Sequence, residues 1–356
     1  MKLKNFIQLT LLASVIVFTA PSCVKEGPIG LPGENGTNGT DGADGADGSV
    51  TCLACHSGTN MNQKKAEFAM SAHSSGEIAV DYAGGRASCA KCHSHEGFLQ
   101  QATLGSVAGD ITNPSAWECS TCHGLHSTFE GTDYALRMNA PAIANYDITK
   151  TIDVKGNGNM CVNCHQTRAA EPNKAIPGAT FKITSTHYGP HYGSQGNVLA
   201  GVGFAEIPGS VAYPAAGSAT HLAQASCTGC HMAPFTKEKA FTGTAMVGRG
   251  GHSYIPSVTA CNTCHGGTAI TNYNYGGVQD EVHVKLDQIR DKLIELGLVE
   301  YVEADAAYEP KVGTYPMLHV QAYFNWKGIK EDRSFGVHNP KYVKALLANT
   351  LEALNK

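Results

Sequence analysis

Twelve of the chain's 13 cysteines fall into six pairs of one pattern: two cysteines three positions apart, with a histidine directly after the second. The six are Cys52-Leu53-Ala54-Cys55-His56, Cys89-Ala90-Lys91-Cys92-His93, Cys119-Ser120-Thr121-Cys122-His123, Cys161-Val162-Asn163-Cys164-His165, Cys227-Thr228-Gly229-Cys230-His231 and Cys261-Asn262-Thr263-Cys264-His265. Two thiols at this spacing can both add to the vinyl groups along one edge of a haem, and the next residue then lies beneath the iron as its proximal ligand. Zinc ribbons also use paired cysteines, and an oxidising compartment would permit disulfides. Neither requires a histidine after every pair. With only 16 histidines in 356 residues, six such placements need a shared cause. The pattern predicts six covalently bound haem c groups, each iron held from one side by His56, His93, His123, His165, His231 or His265.

Ten histidines remain for the opposite sides, and six are needed if every iron carries two. The methionines are few, and Met160 and Met232 abut motifs, where neither can reach an iron. Histidine is therefore expected in the sixth position, which implies lower potentials than methionine ligation. His126 follows His123 by three residues. It cannot reach the far face of the haem that His123 holds, so it is expected to ligate an adjacent one and draw two haems together.

Four further segments resemble recurring pieces of multihaem c-type cytochromes: Phe68-Ala69-Met70-Ser71-Ala72-His73, His187-Tyr188-Gly189-Pro190-His191, Gly250-Gly251-His252-Ser253 and Gly336-Val337-His338-Asn339-Pro340. That broad family includes small electron carriers, ammonia-forming nitrite reductases and hydroxylamine oxidoreductases. The resemblance runs from about residue 51 to the C-terminus. It implies distal ligation by His73, His187, His252 and His338, and His221, just before Cys227, completes the six with His126. His95, His191, His283 and His319 are left as surface histidines or partners for haem propionates, with His191 the natural replacement for His187. Which distal histidine serves which haem stays open.

The elements that position these residues are sparse. Charged residues make up 16% of the chain, aromatics 8%, and glycine occurs 40 times, so side chains alone build little core. About fifty residues per motif are too few for separate domains, and the haems must share walls. The motif intervals show no repeat period, which argues against a solenoid. A mainly α fold with extensive irregular loops is expected, a multihaem cytochrome c fold organised around six covalently bound haems. Two longer helices are legible: one with a stripe of Val282, Leu286, Ile289, Leu293 and Leu296 ending before Gly297, and one capped by Asn339 with Pro340 at its first position, carrying Val343, Leu346, Leu347 and Leu354 inward.

Residues 1–22 read as an export leader: Lys2 and Lys4, then a mostly apolar run from Phe6 to Ala20 that is too short for a retained span. Cys23, the one cysteine outside the motifs, follows a sequence resembling a loose lipobox and is the expected lipidation site. Over residues 23–50 glycine recurs at every third position from Gly27 to Gly48. This collagen-like stretch reads as an extended tether of roughly 75 Å, with a trimeric triple helix as the rival reading. The head is residues 51–356. The formal charge is −4, which excludes a nucleic-acid partner.

Together these features predict an exported, lipid-anchored electron conduit at the outer cell envelope, facing surface or periplasm. Its partners would be other cytochromes or an extracellular acceptor, and no catalytic residue would be needed. Two alternatives stand beside it: an oxidoreductase acting on a small nitrogen or sulfur oxyanion at one open haem, and a subunit of a conducting filament. In the related reductases lysine often replaces the motif histidine at the active haem, and all six motifs here end in histidine.

Overall fold

The structure, a computed structural model, describes residues 50–356 except 129, 171, 173–177, 243 and 267–268. The leader, Cys23 and nearly all of the glycine-repeat stretch therefore lie outside the described residues. Helix is the dominant element, mostly in pieces of four to seven residues joined by loops. Six helices build the sites and their supporting core: α1 (Gly58–Phe68), α2 (Ala87–His93), α3 (His95–Leu104), α4 (Val278–Glu295), α5 (Met317–Asp332) and α6 (Pro340–Leu354).

The short helices have local causes. Ser94 separates α2 from α3 in an extended conformation, and its hydroxyl accepts from the Gly97 N–H at 3.1 Å, an N-cap. The two helices pack so closely that a Cβ at Gly97 would collide with the Ala90 backbone. Gly105, at φ +77°, then ends α3.

The main core lies at the C-terminal end, where α4, α5 and α6 pack together. Val282, Leu286, Ile289 and Leu293 of α4 are buried as their spacing predicts, whereas Leu296 lies past the last turn and is exposed. Asn339 caps α6, accepting from the Tyr342 N–H at 3.3 Å, and Val343, Leu346 and Leu347 are fully buried. The third member, α5, carries Tyr323, Phe324, Trp326 and Ile329 into the same core. Trp326 Nε1 donates to Leu286 O at 2.9 Å and locks α5 to α4. A smaller cluster, including Ile152, Val162, Leu199 and Leu222, supports the fourth and fifth motifs.

Among the described residues the strands form four separate two-stranded antiparallel sheets. β1 (Ala142–Ala144) pairs with β2 (Asp147–Ile152), and β3 (Thr180–Ile183) with β8 (Gly313–Pro316). β4 (Thr236–Lys239) pairs with β5 (Met246–Arg249), and β6 (Val299–Val302) with β7 (Ala307–Pro310). They tie loops rather than form a layer. Among the described residues no helix is long and apolar enough to cross a membrane.

Candidate metal centres

The motif segments are short helices or turns that end at or just before the histidine. Helical Val50–His56, α2 and Thr228–His231 close on His56, His93 and His231, and helical Cys119–Cys122 immediately precedes His123. Residues three apart on a helix share a face, which applies to the thiols of the first three motifs; the helices of the fourth and sixth, Gly158–Val162 and Val258–Asn262, end before the second cysteine. All twelve motif cysteines are free of disulfides.

Each motif histidine faces one histidine from outside the motifs. The ring centres of His56 and His126 are 6.0 Å apart, those of His165 and His73 6.0 Å, and those of His265 and His221 6.0 Å. His93 and His191 stand 5.9 Å apart, His123 and His252 6.2 Å, and His231 and His338 6.3 Å. Imidazole nitrogen binds a metal at about 2 Å and the ring centre lies about 1 Å behind it, so two rings on opposite sides of one metal should stand roughly 6 Å apart. All six spacings meet that requirement, and each set also has two thiols beside the motif ring. Among the described residues no three or more His, Cys, Asp or Glu side chains gather as a metal-holding group. Zinc wants four converging ligands. Two opposed imidazoles and a thiol pair fit haem instead.

The electrostatics favour neutral, ligating imidazoles. Burial pushes His73, His191 and His231 down to about 4, with the neighbouring His165, Arg168 and His338 respectively adding to it. Burial likewise lowers His93, His165 and His252. A neutral imidazole has the free lone pair that coordination requires. His338 differs: burial would lower it, but the charge and hydrogen bond of Asp332 outweigh burial and raise it.

The other ring nitrogen is oriented in most pairs, the arrangement that fixes a ligand's tautomer and direction. His123 Nδ1 meets Tyr134 O at 2.7 Å, His231 Nδ1 meets Tyr254 O at 2.8 Å and His221 Nδ1 meets Val337 O at 2.6 Å. His165 Nδ1 lies 3.3 Å from Gln195 Oε1, and His338 Nδ1 2.6 Å from Asp332 Oδ1. His252 is held through its backbone, whose N–H donates to buried Glu67 at 3.0 Å. Gln63 and Lys64 of α1 donate to the same carboxylate. None of these supporting residues has a local sequence signal, because each is brought in by the fold.

No motif ring stands opposite His187 among the described ring pairs. His187 lies exposed, with its backbone N–H on Ser185 Oγ at 3.1 Å. The ring facing His93 belongs to His191, turned there by left-handed backbone at His191 (φ +73°) and by Gly189 at φ +147°. The remaining histidines sit elsewhere. His95 Nδ1 bonds Thr121 Oγ1 at 2.7 Å, tying α3 to the third motif, and His283 packs on Phe335 with ring centres 4.0 Å apart. His319 is half-buried at the start of α5.

The sites adjoin one another. Cys92 Sγ lies 3.8 Å from Asn163 O and Cys164 Sγ 3.8 Å from Lys91 O, so the second and fourth motifs meet reciprocally. Cys227 Sγ lies 3.9 Å from Gly158 O in the fourth-motif helix, and the Cys230 carbonyl accepts from the Ser257 N–H at 3.1 Å, just before the sixth motif. Tyr254 touches three pairs: its carbonyl accepts from His231, and its ring lies 5.0 Å from that of His73 and 6.0 Å from that of His252.

No protein-family profile matches the chain, and no curated protein matches it in sequence. Two solved structures are similar to it. One is the outer cell wall cytochrome OcwA, with a TM-score of 0.51 at 18% identity over 82% of this chain and 50% of that one. The other is an undecahaem cytochrome from the S-layer of Carboxydothermus ferrireducens, with a TM-score of 0.48 at 18% identity over 80% of this chain and 40% of that one. The chain thus spans half the length or less of the structures it matches.

Proposed function

From a chain with the fold of a multihaem c-type cytochrome, we propose an exported electron conduit that binds six haems, each between two histidines, and carries out no substrate chemistry of its own. One observation carries this reading: all six motif histidines face a second histidine at 5.9–6.3 Å, so no motif ring is left with an open opposite side. The cysteine pairs hold the haems by thioether bonds. His126, His191, His252, His73, His338 and His221 are the distal ligands to the irons of His56, His93, His123, His165, His231 and His265 respectively, with His191 taking the place expected of His187.

A bound haem supplies the chemistry: its iron alternates between Fe(III) and Fe(II), so one electron enters and one leaves with no bond made. The protein's part would be to hold each haem between two histidines, leaving no room for substrate at the iron, and to keep the sites adjacent. The second and fourth motifs meet through Cys92 and Cys164, the fourth and fifth through Gly158 and Cys227, and the fifth and sixth through Cys230 and Ser257. His123 and His126 join the third site to the first.

The leader, the lipidated Cys23 and the glycine-repeat tether would place the head at the outer envelope, where another cytochrome or an extracellular acceptor takes the electrons. The similarity to an outer cell wall cytochrome supports a surface setting. The test is a haem count by pyridine haemochrome and intact mass, combined with electron paramagnetic resonance of the oxidised protein. Six covalent haems with low-spin signals alone are expected. Fewer than six, or a high-spin signal that responds to nitrite or hydroxylamine, would reject the reading in favour of a different haem set or an enzyme.

A further inference from the structure

Among the described residues Asp332 differs from the groups that hold the other ring nitrogens. It is the last residue of α5, its side chain is fully buried, and its Oδ1 lies 2.6 Å from His338 Nδ1. A carboxylate at a helix C-terminus faces the negative end of the macrodipole, and a buried charge costs more still without partners. Its second oxygen is held by the Ser334 hydroxyl and by the Ser334 N–H at 3.3 Å. The Ser334 hydroxyl in turn accepts from the His338 backbone N–H at 3.2 Å. The sequence thus builds a tight loop, Asp332 to His338, around one charge in an unfavourable place.

The other ring nitrogens meet weaker groups. His123, His231 and His221 meet neutral backbone carbonyls, and His165 a neutral amide. Two other carboxylates approach ligand rings, but both are beyond hydrogen-bond reach: Glu67 lies 3.7 Å from His252 Nδ1 and Asp133 3.8 Å from His126 Nδ1. Asp133 is also partly exposed, and Glu67 already receives Gln63 and Lys64.

We propose that Asp332 is a positioning residue that sets redox potential, making the iron between His231 and His338 the lowest in potential of the six. An anionic acceptor on Nδ1–H pushes electron density into the ring and raises its basicity toward the metal. A more basic ligand favours Fe(III) over Fe(II), so this iron gives up its electron most readily. The fifth motif adjoins the fourth through Cys227 and Gly158 and the sixth through Cys230 and Ser257, and His221 of the sixth pair bonds Val337 beside His338. An electron crossing between those sites must therefore climb onto this iron and descend again, a barrier within the relay.

The inference rests on the six-haem, bis-histidine reading, and haem count and spin state of the unaltered protein test that reading first. The proposal itself is tested by potentiometric titration of the full chain carrying Asp332→Asn, followed optically and by electron paramagnetic resonance. The expected result is six haems, all low-spin, with the lowest of six midpoints raised by a tenfold or larger change in the Fe(III)/Fe(II) equilibrium, about 59 mV for one electron, and the other five unmoved. Ser334→Ala gives the opposite sign: it removes a donor competing for the carboxylate, so the same midpoint should fall. It also serves if Asp332→Asn does not mature. A lowest midpoint that stays in place in both variants, or that moves the other way, overturns the proposal.

Discussion

His123 and His126, three residues apart on one loop, face different partners: the ring of His123 lies 6.2 Å from that of His252, and the ring of His126 lies 6.0 Å from that of His56. A single turn of chain therefore contributes to two sites. Replacing His126 by Ala should leave all six haems covalently attached but convert one iron from low-spin to high-spin. Added imidazole should restore the low-spin signal. A spectrum unchanged by the substitution would remove His126 from the ligand set.

The choice between His187 and His191 separates cleanly. His191→Ala should open one site and produce one high-spin iron, because its ring alone of the two faces His93. His187→Ala should leave the low-spin signals intact, since that residue is exposed. The reverse pattern would restore the sequence expectation.

Buried Glu67 fastens α1 to the turn that carries His252. Glu67→Leu leaves the Lys64 ammonium and the His252 N–H without their acceptor, and a buried donor left unpaired costs about 1–3 kcal/mol. A lower Tm is expected, with Glu67→Gln, which keeps an acceptor oxygen, losing less. Thermal melts followed by far-ultraviolet circular dichroism check both.

Glu238 offers a pH test away from the ligands. It accepts from the Ser257 hydroxyl at 2.6 Å and the Val258 N–H at 3.1 Å and lies 3.4 Å from Arg249 Nε, joining β4 to the start of the sixth-motif helix. Burial opposes its ionisation, but these hydrogen bonds win and hold the carboxyl below its usual value. A carboxyl lowered by folding contributes fully above the unfolded value of about 4.3, and that contribution is lost as pH falls through the lower native value. Between about pH 5 and the acid limb, Glu238→Gln should therefore show a shallower loss of Tm than the unaltered chain. Parallel melting curves would remove Glu238 from acid unfolding.

The helices that sequence alone located are those with one wet face. Val282, Leu286 and Ile289 recur at helical spacing because α4 exposes its other side, and α6 announces itself through Asn339 and Pro340. The helix between them left no such trace. Tyr323, Phe324, Trp326 and Ile329 are buried around α5, and so are Lys327 and Glu331, and the Lys327 ammonium pairs with both Glu331 and Glu309. A helix buried on most sides has no polar stripe to read. The motif histidines could be singled out for a different reason, because each directly follows two cysteines three positions apart. The facing rings were legible only as candidates. Nothing local distinguishes His187 from His191, four residues apart, until left-handed backbone at His191 turns one of them inward. Asp332 was silent for the same reason, since its meaning depends on where α5 ends.

The facing histidines also come from distant parts of the chain, and this bears on biosynthesis. In the proposed assembly His123 waits for His252, and His231 waits for a residue that lies beyond α5. A polypeptide released before residue 338 would already own every thiol needed for attachment yet leave the iron above His231 with one axial bond. The order in which the chain emerges thus separates loading from closure, and only the arrival of residue 338 closes the last site.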